Sequence, residues 1–384
     1  MSSSLHNQAR WSMPRWLFFV STAAVIAGAI GLGAAFATRP NEGWLWLVVN
    51  FVLFWGIASG MLAWAAAFRV AQATWTPVIN RFAHSAVRTA PLLFIVLIIL
   101  IAGLRGYVPW IEHPAKGKEA WLSVPAFAVR EIIAALLFWG MSWLLVRWSL
   151  AVDAKPDVPD ADARRLNGVA VVVVVVFALT SSIVAWDFVM SLAPEWVSTV
   201  FSAYYFCTNL YAGMAVLVLI AAALRKPLGL EDRLKPHHFH DMGNLLLAFS
   251  LFNMGLFFAQ YVTIWYENLP DEVWFLILRY DKGIWPPISW TSFILGYSIP
   301  FLLLQSRMIK LSSKLLSMVA VMVLVGVGVE RYILVVPSLT PAHLVISPVG
   351  ALSVLGFAGM FVVSIGWFLS RYSPISSADE VLEK

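Results

Sequence analysis

A chain of 384 residues that is 60% hydrophobic and only 12% charged, with a mean hydropathy of +0.80, lies outside the composition of soluble globular domains. Its net charge of +5 is carried by Lys and Arg in the gaps between apolar runs, so the charge reads as a topology signal and excludes nucleic acid as a partner. Cys207 is the only cysteine, which excludes an intrachain disulfide and any zinc or iron–sulfur centre built from this chain's cysteines.

The apolar runs repeat at about 20 residues, the length needed to cross a bilayer as a helix. Ten are read, at 16–37, 44–68, 90–111, 126–149, 169–190, 199–224, 243–266, 288–306, 315–336 and 350–371. The first follows Arg10 and Arg15 and is too long for a signal-peptide core, so it reads as a spanning helix. Of the 26 Lys and Arg, 18 fall on the side shared by the two termini, which predicts cytoplasmic termini. The stretch "AVDAKPDVPDADARR" (151–165) reads as a surface connector, and "SPISSADEVLEK" (373–384) as a solvated tail.

Weak internal similarity recurs at an offset near 150 residues. Gly60–Met61 matches Gly213–Met214, "LNGVAV" (166–171) matches "LSMVAV" (316–321), and "SLAP" (191–194) matches "SLTP" (338–341). Each copy holds four spans, an even number, so the copies face the same way. The expected fold is an all-α polytopic membrane protein, one integral domain over 1–384. Two parallel four-helix bundles, 44–190 and 199–336, are flanked by peripheral helices at 16–37 and 350–371.

An ionised side chain in mid-bilayer costs about 2.5–3.5 kcal/mol, so such groups face a bundle interior and have partners. One group gathers toward the non-cytoplasmic ends: Arg105, Arg130, Glu131, Asp187, Glu330 and Arg331. Asp187 precedes its SLAP mark by four residues and Glu330 its SLTP mark by eight. That places Glu330 about 6 Å deeper, at ~1.5 Å per residue. Two readings stay open: ion pairs that join helices, or a proton path or polar recess, with Asp187 and Glu330 its best candidates.

On the opposite side, "FAHSAVR" (82–88) and "HHFHDMGN" (237–244) bring His84 with Arg88, and His240 with Asn244 beside Asp241, to i,i+4 spacing. His237, His238 and His240 have no second ligand group in sight, so no metal site is expected. In the seventh span Asn253, Gln260 and Glu267 recur every seven residues, one stripe drifting ~20° per step. Such amides commonly bond across helices, for about 0.6–2 kcal/mol each. The alternative is a hydrated wire or a quinone-contacting face, with Tyr261 beside Gln260.

"WDFVMSLAPEWVSTVFSAYYF" (186–206) and "HDMGNLLLAFSLFNMGLFFAQYVTIWYENLPDE" (240–272) resemble the ActF membrane subunits of bacterial alternative complex III, within the NrfD/PsrC-like membrane proteins. The resemblance implies a metal-free subunit of a quinol:cytochrome c, or other quinol:acceptor, oxidoreductase in the bacterial inner membrane. It implies partners: a homologous NrfD-like membrane subunit, an iron–sulfur subunit and c-type cytochrome subunits, with lipid and quinone or quinol. Asp187 would belong to a polar path, with His240 and Asp241 at its cytoplasmic mouth. Where that pattern has Lys, this chain has Asn244, which removes a basic group from the mouth. A secondary transporter with four-span repeats, or a non-catalytic membrane anchor, is the alternative.

Overall fold

The computed structural model describes residues 11–153 and 160–374; the middle of the 151–165 connector and nearly all of the 373–384 tail lie outside them. Among the described residues the chain is helical and has no strands, and ten helices are long and apolar enough to cross a membrane. The chain is an all-α, multi-pass membrane protein.

The helices are α1 (Arg15–Thr38), α2 (Pro40–Val70), α3 (Pro77–His84), α4 (Ala90–Ala102), α5 (Val124–Asp153), α6 (Asp160–Phe188) and α7 (Phe201–Leu224). They continue with α8 (Pro236–Glu267), α9 (Pro270–Leu276), α10 (Pro286–Phe293), α11 (Ile299–Leu304), α12 (Arg307–Leu311), α13 (Ser313–Leu339) and α14 (Pro348–Arg371). The third span departs most from its expected bounds of 90–111: it starts at Pro77 and ends at Ala102. A 3-10 segment, Ser85–Thr89, joins α3 to α4. Pro91 has no N–H for the Val87 carbonyl, which favours the tighter turn there. His84 and Ser85 of "FAHSAVR" thus lie inside a helix, buried where it packs on α2, and Arg88 lies 3.8 Å over the ring of Trp367. At the other end Gly103 and Gly106 lie under the ring of Trp44, and the chain turns away.

α2 is hydrophobic all round and buried along almost its whole length, the mark of a central helix. It crosses α7 where Gly56 and Gly60 face Asn209 and Gly213. A methyl group added at Gly60 would lie 2.0 Å from the Asn209 carbonyl oxygen, and one at Gly213 2.6 Å from the Gly60 carbonyl carbon. The glycines of the two repeated "GM" pairs are therefore in mutual contact. Packing repeats about this crossing: α2 lies on α6 as α7 lies on α13, and α6 touches α7 as α13 touches α2.

α1 and α14 pack along each other through Gly28, Gly356 and Gly359, where added methyl groups would meet backbone at 2.5–2.9 Å. α14 also lies on α2, fixed by the Asn50 amide donating to Ser353 Oγ at 2.9 Å. The outer face of α1 presents Trp16, Phe19, Val20 and Ile30 outward.

Replacing Gly60 or Gly213 by Val is expected to lower stability by about 1–3 kcal/mol or more through overpacking. Gly140→Ala, where the new methyl would meet nothing within 4 Å, is expected to be neutral or slightly stabilising. Thermal unfolding of the detergent-solubilised variants checks both.

Candidate functional site: two buried carboxylate clusters

The first cluster joins α5 to α6. Arg130 and Glu131 are adjacent on α5 and so point in different directions. The Arg130 guanidinium, 13% exposed, donates twice to the wholly buried Asp187: Nε to Oδ2 and Nη2 to Oδ1, each at 2.8 Å. Trp121 donates its indole N–H to Asp187 Oδ1 at 3.2 Å and lies under the guanidinium at 3.8 Å. This two-point, stacked geometry is what Arg offers and Lys does not.

Glu131, also wholly buried, lies beside Asp187 and Arg130. Its oxygens accept no hydrogen bond from a described side chain or amide. Two ionised carboxylates have no donor to share between them. One guanidinium thus serves two acids. Tyr107, from the loop after α4, closes the cluster, its hydroxyl donating to the Leu100 carbonyl at 3.2 Å. Burial, then the charges of Glu131 and Asp187, raise the Tyr107 pKa well above its ordinary value, so its hydroxyl keeps its proton.

The second cluster lies among α7, α8, α13 and a π-helical turn, Ile294–Ser298, between α10 and α11. Glu330 pairs with the adjacent Arg331 at 3.2 Å and accepts a hydrogen bond from the Tyr297 hydroxyl. Arg331 donates to Asn209 Oδ1 at 2.9 Å and lies 4.1 Å above the Tyr205 ring. Thr208 Oγ1 donates to Asn253 Oδ1 at 3.0 Å and lies 3.5 Å from the Tyr297 hydroxyl. Asn253, Thr208, Tyr297, Glu330, Arg331 and Asn209 therefore form a continuous polar chain across three helices and the π turn. Tyr204, Tyr297 and Glu330 border a small cavity with about 10 Å³ open to the centre of a water molecule, room for one.

Tyr205 stands between the clusters. Its hydroxyl donates to the Val52 carbonyl of α2 at 3.1 Å, and it lies within electrostatic range of both Glu131 and Glu330.

The remaining sequence candidates divide. Arg105 sits in an exposed 3-10 turn, Leu104–Gly106, and makes none of the contacts of the first cluster. Gln260 is buried, Tyr261 packs on Phe257 and Tyr280, and Glu267 at the end of α8 is exposed. Of that stripe, only Asn253 enters the polar chain. At the other end of α8, His240 Nδ1 lies 3.4 Å from Asp241 and 3.3 Å from the Asn244 amide. Lys310 of α12 reaches Asn244 Oδ1 at 2.7 Å, its stem folded over Gly243. A basic group therefore stands beside Asn244, supplied by a residue 66 positions further along the chain. Among the described residues, no three His, Cys, Asp or Glu are placed to hold a metal.

Arg279, in the π turn Ile277–Asp281 after α9, is not among the residues singled out from the sequence. It is fully buried, pushed by burial to a pKa of about 9 and so still charged at neutral pH. Its donors meet the carbonyls of Ile333, Leu334 and Phe275 and the Ser338 hydroxyl. The signal was Pro337: it lies inside α13 and has no N–H for the carbonyl of Ile333, four residues back.

No family model matches this chain, and neither does any curated protein.

Arg130→Leu leaves two buried acids without their cation and is expected to cost about 3–5 kcal/mol. The double variant Arg130→Leu/Asp187→Leu should cost less than the sum of the single changes, which a double-mutant cycle of thermal unfolding reads directly. Arg279→Lys, with one ammonium in place of a planar fork that reaches four acceptors, should destabilise by about 1–3 kcal/mol in the same assay.

Proposed function

We propose that this chain is a membrane subunit of a quinol:cytochrome c, or other quinol:acceptor, oxidoreductase of the bacterial inner membrane, with cytoplasmic termini. In this reading it supplies protonatable groups and a lipid-side approach while partner subunits carry the electrons. The observation that carries the reading is the pair of buried carboxylate clusters, one of which opens to lipid. Arg130 lies at the edge of an apolar surface groove of about 690 Å³ between α5 and α6, walled by Val129, Ile133, Leu137, Val176 and Leu179. An isoprenoid tail fits such walls, and a ring oxygen at the Arg130 end would come near Asp187 and Glu131. Both segments that carry the family resemblance contribute to the clusters, the first through Asp187, Tyr204 and Tyr205 and the second through Asn253.

Oxidation of a quinol to a quinone releases two electrons and two protons. The electrons pass to redox centres of the partner subunits. Asp187 and Glu131, two acids facing one guanidinium, have capacity for a proton, and Glu330 with Tyr297, Thr208 and the one-water cavity offers a second holding point. Arg130 and Arg331 fix the carboxylates in place and limit the cost of their charge.

The test is affinity purification of the tagged chain from its native membrane, followed by mass spectrometry, a haem spectrum and quinol turnover. Iron–sulfur and cytochrome c subunits are expected in stoichiometric amounts, and an assembled Asp187→Asn/Glu330→Gln double variant is expected to turn over roughly 10²-fold more slowly. A lone chain without haem absorbance overturns complex membership and favours the transporter reading. Full turnover and proton release in an assembled double variant overturns the proton role.

A further inference from the structure

On the face carrying the N-terminal ends of α3 and α8, a cavity of about 340 Å³ lies between the segment ahead of α3 and the segment leading into α8. Trp75 and Val78 form one wall. Arg233, Lys235, His237 and His238 form the other, and Asp232 is the one acid among the described residues of the rim. The two spans begin here, at Pro77 and Pro236, so the cavity sits where hydrocarbon gives way to headgroups. A tryptophan on the wall suits that level.

The polar groups converge as donors. The His238 Nδ1 accepts the Lys235 backbone N–H at 3.0 Å, so the neutral ring carries its proton on Nε2, free to donate. The His237 ring lies against it at 4.0 Å between centroids. Lys and Arg donate only, and α8, 32 residues long, directs the positive end of its dipole to the same place. Among the described residues that line it, one carboxylate stands with two cationic side chains and two imidazoles, so the cavity favours an anion.

We propose that this cavity binds a phosphate-bearing anion: the headgroup of an anionic phospholipid, or a free phosphate or phosphate ester. The site is separate from the carboxylate clusters and does not depend on the oxidoreductase reading. A phosphate group fits the volume, and its oxygens accept from Arg233, Lys235 and the His238 Nε2–H. Trp75 and Val78 face the glycerol and first methylenes of a lipid.

The test uses the full-length protein in a zwitterionic detergent. Native mass spectrometry reads retention of added phosphatidylglycerol against phosphatidylcholine, and a separate arm adds inorganic phosphate as competitor. Preferential retention of phosphatidylglycerol is expected, weakened roughly 30-fold in Arg233→Gln/Lys235→Gln by removal of two basic contacts. It should be unchanged in Arg307→Gln/Lys314→Gln, which removes as many charges elsewhere, and largely kept in Lys235→Arg. Displacement of the lipid by millimolar phosphate identifies a soluble phosphate as a sufficient ligand; no displacement identifies the lipid headgroup. Equal retention of the two lipids with no binding of phosphate overturns the proposal. So does an Arg233→Gln/Lys235→Gln variant that binds like the unaltered protein.

Discussion

Backbone-to-backbone contact between α2 and α7 sets the position of the polar groups in this core. Gly56, Gly60 and Gly213 leave no room for a methyl group, and in lipid such close approach is a main source of helix association, because lipid tails are as apolar as the side chains they would replace. With the axes this close, Asn209 lies in the seam, where its carbonyl meets Gly60 and its side-chain oxygen takes a hydrogen bond from Arg331. Tyr205, one turn earlier on α7, bonds to Val52 of α2 and stacks under the same guanidinium. The crossing therefore holds the two helices together and also supplies the partners that make a buried Arg331 tolerable.

The two clusters meet the same constraint in unlike ways. Burying a charge in hydrocarbon is costly unless it is paired and hydrogen-bonded. Around Asp187 this is done by one two-point guanidinium and one indole, with Glu131 left over as a second acid. Around Glu330 it is done by an adjacent arginine and a tyrosine whose hydroxyl continues toward Thr208 and Asn253. The first cluster thus holds a second acid and the second a run of hydroxyls, even though the repeated packing about the crossing is alike on both sides.

Much of this was legible in the sequence because hydrocarbon penalises errors so heavily. Ten apolar runs gave ten spanning helices, and Glu131, Asp187, Glu330 and Arg331 stood out because charges in such runs demand an interior. The glycines of the repeated "GM" pairs proved to be the residues in contact. What could not be read was pairing across long separations. Lys310 meets Asn244 over 66 positions, and Arg331 meets Asn209 over 122; no periodicity along one helix encodes which other helix lies opposite. Tyr297 and Thr208 escaped notice for a related reason, since a hydroxyl in an apolar run carries little cost and gives little signal. Arg105, conspicuous in the sequence, ends in an exposed turn because the chain leaves the helix at Gly103.

Prolines within spans explain why the polar groups around Glu330 sit where they do. Pro300 has no N–H for the Gly296 carbonyl, and the helix takes up the irregularity as a π turn. Tyr211 donates its hydroxyl to that carbonyl at 3.0 Å, and its ring stacks on Tyr297. Tyr297, braced in this way, presents its own hydroxyl to Glu330. On α13, Pro337 likewise leaves the carbonyl of Ile333 for Arg279, which ties the segment after α9 to the end of the helix that carries Glu330. At Pro300 and at Pro337 the break in the helix ladder thus leaves a carbonyl acceptor, and each of these two takes a donor from another element. The π turn brings Tyr297 to Glu330, so the carboxylate is held by a hydroxyl from that turn as well as by Arg331 on its own helix.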